Sequence, residues 1–191
     1  MVNIDTQLFR LINNAHCIAT DWLMWVVSQH WFWVAILVVV FGILMIRNDG
    51  KQWWIALMGV ALCFLLADRG SVVLFKDTVC RLRPCHVLED VNMFRTSCGG
   101  RYGFVSSHAA NALALMTFAL LRYRPLRKGQ DVMSRTVSVA LMVWVALCCY
   151  SRVYLGKHYP GDVLCGAMYG AIVGAVVVWL TALFEKKSIK K

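Results

Sequence analysis

The sequence predicts an all-α protein: a polytopic membrane helical bundle of about five transmembrane helices, preceded by an N-terminal amphipathic helix. Hydrophobic residues make up 60% of the 191 residues and charged residues only 16%, and the mean hydropathy is +0.62. A soluble domain of this length does not carry so much apolar content. The formal net charge is +10, but the positive charges are scattered between apolar runs, so we expect no nucleic-acid partner.

The N-terminal residues 1–30 are predicted to form interfacial helices within a single membrane-embedded domain of residues 1–191. Apolar and polar side chains alternate at helical spacing over residues 3–15, which predicts a short amphipathic helix at the membrane interface. Asp21 is expected to cap a second helix. The pattern leaves open whether residues 21–46 form one long helix or an interfacial segment followed by a span.

A transmembrane core is predicted over residues 31–184, followed by a basic cytoplasmic tail over residues 185–191. The third of its five apolar runs is short for a bilayer, so we expect its N-terminal end to lie in a polar recess lined by protein. The fifth run carries glycines at intervals of four, which lets a neighbouring helix approach closely. The runs are residues 31–46, 52–75, 108–121, 136–150 and 162–184, and the glycines are Gly166, Gly170 and Gly174.

The positive charges predict the orientation of this bundle. Lysine and arginine are more numerous in the turn 47–51, the loop 122–135 and the C-terminal tail than on the opposite side, so that side is predicted to be cytoplasmic. The long polar loop 83–106 then lies outside. The ends of the second and fourth runs and the starts of the third and fifth face the same outer side.

The stretch 151–162 combines an arginine, a histidine and a carboxylate between two apolar runs. His158 and Asp162 are four residues apart and would share a face if the segment is helical. The carboxylate can fix the tautomer of the imidazole, which can act as a nucleophile, and Arg152 can hold phosphate oxygens in bidentate fashion. Taken singly, each residue fits an ordinary snorkelling side chain at the membrane interface better than a catalytic one.

A second cluster ends the second apolar run. Lys76 and Arg83 are seven residues apart, two turns on one face of a helix that Pro84 then tends to end. Two cations aimed into a cleft fit the oxygens of a phosphate group, and contact with lipid head groups is the alternative. Asp68 and Arg69 lie within the same run, where charges are costly, and either a structural ion pair or a role near the site accounts for them.

A third cluster, Ser106, Ser107 and His108, opens the third apolar run. A helix start offers free backbone N–H groups and the positive end of the helix dipole, which favour an anion. Either serine can cap the helix or donate to phosphate, and the histidine can protonate a leaving oxygen. A serine cap beside an interfacial histidine is the structural alternative.

The long loop contains two cysteines thirteen residues apart, Cys85 and Cys98. If the loop is periplasmic, a disulfide between them would pin it over the site. Cys80 is a rival partner, and the sequence does not decide between the pairings.

Together the three clusters resemble the signature of the type-2 phosphatidic acid phosphatases, the lipid phosphate phosphatase superfamily, in its bacterial membrane branch. That signature reads K-x6-R-P, then P-S-G-H, then S-R-x5-H-x3-D. Residues 76–84 and 151–162 match its first and third parts in full. Residues 105–108 read V-S-S-H, with valine in place of proline and serine in place of glycine. The resemblance covers about residues 52–184.

The resemblance implies a phosphatase that needs no metal and no cofactor, because several cations can neutralise the transition state. The implied substrate-binding residues are Lys76, Arg83, Arg152, Ser106 and Ser107. The implied catalytic residues are His158, which attacks phosphorus and forms a phosphohistidine, Asp162, which orients it, and His108, which protonates the leaving group and then activates water.

Members of this family act on undecaprenyl diphosphate, phosphatidylglycerol phosphate, phosphatidic acid and the phosphates of lipid A. We expect an envelope lipid in the bacterial inner membrane, with lipid A phosphate and undecaprenyl diphosphate first, entering laterally from the bilayer to a site on the periplasmic face. The alternative is a non-catalytic head-group binding protein, a transporter or a flippase, although transport needs no histidine–aspartate pair. Vanadate-dependent haloperoxidases share the site architecture but are soluble.

Overall fold

The structure is a computed structural model. Every secondary-structure element in its described residues is helical, which confirms the all-α class. It describes residues 3–123 and 131–189, with side chains to residue 186, so part of the basic loop and the end of the tail lie outside the described residues. The elements are α1 (Ile4–Asn13), α2 (Ile18–Val27), α3 (His30–Asn48), a 3-10 turn (Gly50–Gln52), α4 (Trp53–Gly70), a π-helical segment (Ser71–Lys76), α5 (Asp77–Val79), α6 (Pro84–Val87), α7 (Ser107–Arg122), α8 (Val132–Tyr154) and α9 (Pro160–Ile189).

Membrane-spanning helices form the outside of the bundle. Within the described ranges, four helical stretches are long and apolar enough to cross a bilayer: His30–Asn48, Gly50–Val79, Val132–Tyr154 and Pro160–Lys186. The remaining predicted run is α7, which has 16 residues. Its Leu115 and Phe118 are buried, and α4, α8 and α9 pack around it. The short helix is therefore the interior of the bundle.

The glycines of α9 allow α7 and α9 to touch backbone to backbone. A Cβ atom added at Gly166 would lie 2.6 Å from the carbonyl oxygen of Ser106, and one at Gly170 would overlap the carbonyl of Ala110. The close approach predicted from the glycine spacing is therefore confirmed, and its partner is α7.

Charged and polar side chains tie the helices together at one end of the bundle. Arg122 Nη2 donates to Asp49 Oδ1 and to Glu185 Oε1, each at 2.7 Å, and the Tyr123 hydroxyl donates to Asp49 Oδ2 at 2.6 Å. These contacts join the end of α7, the last turns of α9 and the turn after α3. The starts of α7 and α9 and the end of α8 consequently lie at the opposite end, as the topology predicts.

The N-terminal residues form two helices before the first span, which answers the question that the sequence left open. Helix α1 buries Phe9 and exposes Ile4 and Leu11. Asp21 does not cap α2, contrary to the prediction, because α2 begins at Ile18. Its buried carboxylate instead accepts a hydrogen bond from the Tyr154 hydroxyl at 2.7 Å.

Lys76 and Arg83 do not share a helix face, which corrects a second prediction. The helical stretch ends at Val79, Cys80 has a φ of +51°, and Arg83 has extended backbone with φ −70° and ψ 154°. Pro84 begins the short helix α6 rather than ending a longer one, since a first-turn position requires no N–H donor. The two cations therefore come from separate elements.

The contact between α7 and α9 predicts the effect of a single methyl group. Gly170→Ala forces the two backbones apart, and we expect a loss of about 1–3 kcal/mol of stability from overpacking. Gly42→Ala is the matched control, because nothing lies within 4 Å of the added Cβ and alanine is the better helix former. Thermal unfolding in detergent measures both, and an unchanged midpoint for Gly170→Ala would contradict the close contact.

Candidate active site

A cavity of about 520 Å³ lies at the end of the bundle where α7 and α9 begin. This volume is in the range of sites for small organic ligands, about 300–1,000 Å³. Ser106 and Asp162, two of the predicted site residues, do not line the cavity and are fully buried. The predicted residues that line it are Lys76, Arg83, Ser107, His108, Arg152 and His158.

His158 and Asp162 face each other from the turn before α9 and from its first turn. His158 precedes the helix, so the two residues do not share a helical face. The distance from His158 Nδ1 to Asp162 Oδ2 is 3.7 Å, slightly longer than a hydrogen bond. Asp162 Oδ2 also accepts from the Tyr159 backbone N–H at 3.0 Å. With Nδ1 turned to the carboxylate, Nε2 is the imidazole nitrogen left for a ligand.

The surroundings of His158 keep its imidazole neutral. Burial is the largest influence and lowers the pKa of His158 to about 4. Asp162 acts in the opposite direction, while the positive charges of Arg83 and Arg152 lower the pKa of His158 further. A neutral imidazole has a free lone pair, which is the form that a nucleophile requires.

Lys76 reaches the start of α7 through a chain of polar contacts. Its Nζ donates to Ser107 Oγ at 2.7 Å, and Ser107 Oγ lies 2.6 Å from the hydroxyl of Ser71. The first hydrogen bond within α7 runs from the Ala110 N–H to the Ser106 carbonyl. The N–H groups that precede it have no acceptor inside the helix, which makes this helix start suited to an anion.

Arg83 is held by the long loop, and a disulfide holds that loop. Its Nε donates to the Tyr102 carbonyl at 3.2 Å and its Nη1 to the Cys98 carbonyl at 3.1 Å. Cys98 is bonded to Cys85, while Cys80 is free, which decides between the pairings that the sequence left open. The sulfur atoms of both cysteines lie near His86, but their disulfide bond means that they cannot act as thiolate ligands of a metal.

His108 projects into the cavity from the first turn of α7. Its ring centre is 5.2 Å from that of His30 and 5.7 Å from that of Trp33. Asp68 also lines the cavity, and its Oδ1 lies 3.5 Å from Asn111 Nδ2. Among the described residues neither Asp68 nor Arg69 forms an ion pair with another side chain, so the structural ion pair that the sequence allowed is not present there.

Two cations of the cavity lie outside the predicted set. Lys157 occupies an unspecified position of the third motif, and its only signal in the sequence is its place next to His158. Burial, followed by the charges of Arg152 and Arg83, lowers the pKa of Lys157 to about 8. The Arg95 guanidinium lies over the ring of Trp22 at 4.7 Å, an arrangement that the long loop creates and that sequence spacing could not reveal.

The fold and the cavity define a membrane-embedded helical bundle with a cationic, histidine-containing site at one end. Residues 52–186 match the PAP2 superfamily, and the chain belongs to this family. It is 31% identical to the lipid A 4'-phosphatase of Bacteroides thetaiotaomicron over 179 residues, which are 90% of this chain and 74% of that protein. Identity to the lipid A 4'-phosphatase of Porphyromonas gingivalis is 27% over 180 residues, 93% and 72% of the two chains.

A solved structure has the same fold. The crystal structure of LpxE from Aquifex aeolicus superposes with a TM-score of 0.65 at 24% sequence identity, covering 92% of this chain and 95% of that one. At this identity the likeness concerns the fold. It agrees with the multi-pass helical architecture described above.

The disulfide is expected to stabilise the loop that anchors Arg83. Replacing both Cys85 and Cys98 by serine should lower stability by about 3 kcal/mol, the loss estimated for opening a loop of this length. Thermal unfolding measures the change, and reductant should bring the wild-type midpoint down to that of the double variant. Cys80→Ser is the control and should unfold like the wild type. A wild-type midpoint insensitive to complete reduction would contradict a stabilising role.

Proposed function

We propose that this protein is a lipid phosphate phosphatase that removes a phosphate from lipid A or a related membrane lipid through a phosphohistidine intermediate. One observation carries the proposal: His158, backed by Asp162, shares a cavity with His108 and the cations Lys76 and Arg152. A phosphate bound in this cavity would thus share it with a nucleophile, a proton donor and cationic groups. The two relatives named as lipid A 4'-phosphatases support the same reaction class.

In the first step, the lone pair of His158 Nε2 attacks the phosphorus atom in line with the bond to the lipid oxygen. The N–P bond forms as the P–O bond to the lipid breaks, and His108 donates a proton to the departing oxygen. Asp162 stabilises the positive charge that develops on the His158 ring. The guanidinium groups of Arg83 and Arg152 bind the phosphoryl oxygens, where negative charge is concentrated.

In the second step, water attacks the phosphohistidine. His108, now neutral, takes a proton from the water, the N–P bond breaks, and inorganic phosphate and neutral His158 are restored. The side-chain cations and the N–H groups at the start of α7 supply the positive charge that metal ions supply in many phosphoryl-transfer enzymes. We therefore propose turnover without a metal.

The substrate class follows from the size and lining of the cavity together with the relatives. A cavity of about 520 Å³ accommodates part of a head group as well as a phosphate, and its wall includes Trp25 and Gln29, side chains suited to a sugar. Lipid A phosphate is the first candidate. Undecaprenyl diphosphate is the second, because Arg95 and Lys157 offer positive charge for a further phosphate. Phosphatidylglycerol phosphate and phosphatidic acid have smaller head groups and rank below both.

We propose that the protein lies in the bacterial inner membrane with this cavity facing the periplasm. The support is the distribution of charge: Arg47, Lys51 and Arg122 lie at the end of the bundle remote from the cavity, and basic residues favour the cytoplasmic side. The disulfide of the long loop favours an oxidising compartment at the cavity end. The lipid then enters from the bilayer, and residues 1–191 act as one membrane-embedded domain.

The first test is phosphate release by the purified protein from lipid A, undecaprenyl diphosphate, phosphatidylglycerol phosphate and phosphatidic acid, with chelator present. We expect release by the wild type and its loss in His158→Ala, by about 10⁴-fold or more, as for other nucleophile deletions. His86→Ala is the matched control because His86 lies outside the cavity and should retain activity. A folded wild type that releases no phosphate from any of these lipids would overturn the phosphatase assignment and favour head-group binding or transport.

The covalent intermediate gives a second prediction. In His108→Ala, a substrate with a good leaving group needs no proton donor for the first step, but water lacks its base in the second. We expect this variant to accumulate one phosphoryl group per protein, located on His158 by mass spectrometry after an alkaline quench. Under the same conditions the double variant His108→Ala/His158→Ala should carry none. A phosphoryl group on another residue would rule out His158 as the nucleophile.

The lowered pKa of Lys157 predicts an alkaline fall in activity. Lys157 is cationic below its pKa of about 8 and loses its charge as pH rises through that value, so kcat/KM should fall there. Arginine stays charged, and Lys157→Arg should move the fall to higher pH. Lys51→Arg, at the remote end, should leave the profile unchanged. Identical profiles for the wild type and Lys157→Arg would show that the Lys157 charge does not contribute to phosphate binding.

A further inference from the structure

Arg81 bridges two carboxylates behind the cavity. Its Nη1 donates to Asp162 Oδ1 at 2.8 Å and its Nη2 donates to Asp5 Oδ2 at 2.6 Å. The Asp162 side chain is fully buried and the Arg81 side chain is 29% exposed. Arg81 occupies an unspecified position of the first motif, so the sequence patterns assign it no role. In the structure it is the ion-pair partner of the carboxylate beside His158.

The first helix of the chain completes this arrangement. Asp5 lies in α1, and its Oδ1 accepts the backbone N–H of Gly161 at 2.8 Å. The Arg81 guanidinium also lies 4.1 Å from the centre of the Tyr159 ring. That ring packs edge-to-face with the ring of Phe9, with 5.6 Å between the two ring centres. Helix α1 is thereby attached to both ends of the segment between His158 and Asp162.

We propose that Arg81 is a positioning residue for the reaction and that α1, through Asp5, is part of the active site. Arg81 fixes Asp162 Oδ1, and the Tyr159 N–H contacts Oδ2, so the carboxylate is held with Oδ2 towards His158. A buried carboxylate that loses its charged partner must find other donors. In that case Asp162 would turn away from the imidazole. This inference rests on the proposed function, since it concerns how Asp162 orients the nucleophile.

Arg81 differs from the proposed phosphate-binding cations in that its N–H groups donate to carboxylates of the protein. Lys76, Arg83 and Arg152 line the cavity, whereas Arg81 is absent from the described lining. Two of its guanidinium nitrogens are already bonded to carboxylates. Its loss should therefore affect the chemical step and leave substrate binding nearly unchanged, whereas loss of a cavity cation should raise KM.

The experiment measures kcat and KM for Arg81→Gln, Arg81→Lys and Asp5→Asn in the full chain. We expect Arg81→Gln to lower kcat by about 10- to 100-fold, the size seen when outer hydrogen-bond partners of reacting groups are removed, with KM within about twofold. Arg81→Lys keeps the charge but cannot donate to two carboxylates from a planar guanidinium, so its kcat should lie between those of Arg81→Gln and the wild type. Asp5→Asn should lower kcat less than Arg81→Gln. Arg101→Gln, an exposed arginine in the long loop that follows Arg81, is the matched control and should behave as the wild type.

A double-mutant cycle with Asp162→Asn separates positioning from a general structural effect. If Arg81 acts through Asp162, adding Arg81→Gln to the Asp162→Asn variant should lower kcat little below that of Asp162→Asn alone. Additive losses, a raised KM with kcat unchanged, or full kcat with a lowered unfolding midpoint would each overturn the inference. A wild type without phosphatase activity would overturn the proposed function instead, whereas an active wild type matched by Arg81→Gln would overturn this inference alone. Should Arg81→Gln fail to fold, Asp5→Asn and Arg81→Lys answer the same question.

Discussion

The direct contact between the backbones of α7 and α9 is the constraint on which the site depends. Helix α7 carries His108 and α9 carries Asp162, and glycines at their crossing leave no side chain between them. The Ser106 N–H donates to the Asp162 carbonyl at 3.0 Å. This hydrogen bond fixes the position of the start of α7 relative to the start of α9. Because a membrane interior offers little hydrophobic drive for helices to associate, such close packing is a principal source of their attraction.

The charges of the cavity impose a second constraint. Arg152 is 2% exposed, and its guanidinium contacts the hydroxyl of the neighbouring Ser151 at 3.3 Å. A buried cation with so little compensation is costly, and Arg83 and Lys157 add positive charge nearby. An anionic group in the cavity removes this repulsion. The described lining of the cavity therefore carries an excess of positive charge, which would favour a bound anion.

Sequence reasoning could predict what local chemistry and periodicity determine. The apolar runs predicted the four long helices and the short helix α7, and motif residues from distant parts of the chain were expected at one end of the bundle, where they lie. Spacing failed where the chain leaves regular structure: Arg83 follows a left-handed residue at Cys80 rather than continuing a helix. The contacts of Arg81 with Asp5 and Asp162 depend on three segments far apart in sequence, and no periodicity encodes them. Whether Ser106 or Ser107 faces the cavity likewise depended on the rotation of α7.

The surface around the cavity bears on how the proposed enzyme meets its substrate. Exposed apolar side chains on the helices that form one wall of the cavity are Ile18, Trp22, Leu23 and Trp31. The tryptophans favour the boundary between acyl chains and head groups. A lipid arriving there diffuses in two dimensions. The rate then depends on the fraction of the bilayer that the lipid occupies, not on its amount per volume of solution. Diluting the substrate with inert lipid would slow the enzyme, whereas diluting the vesicles with buffer would not.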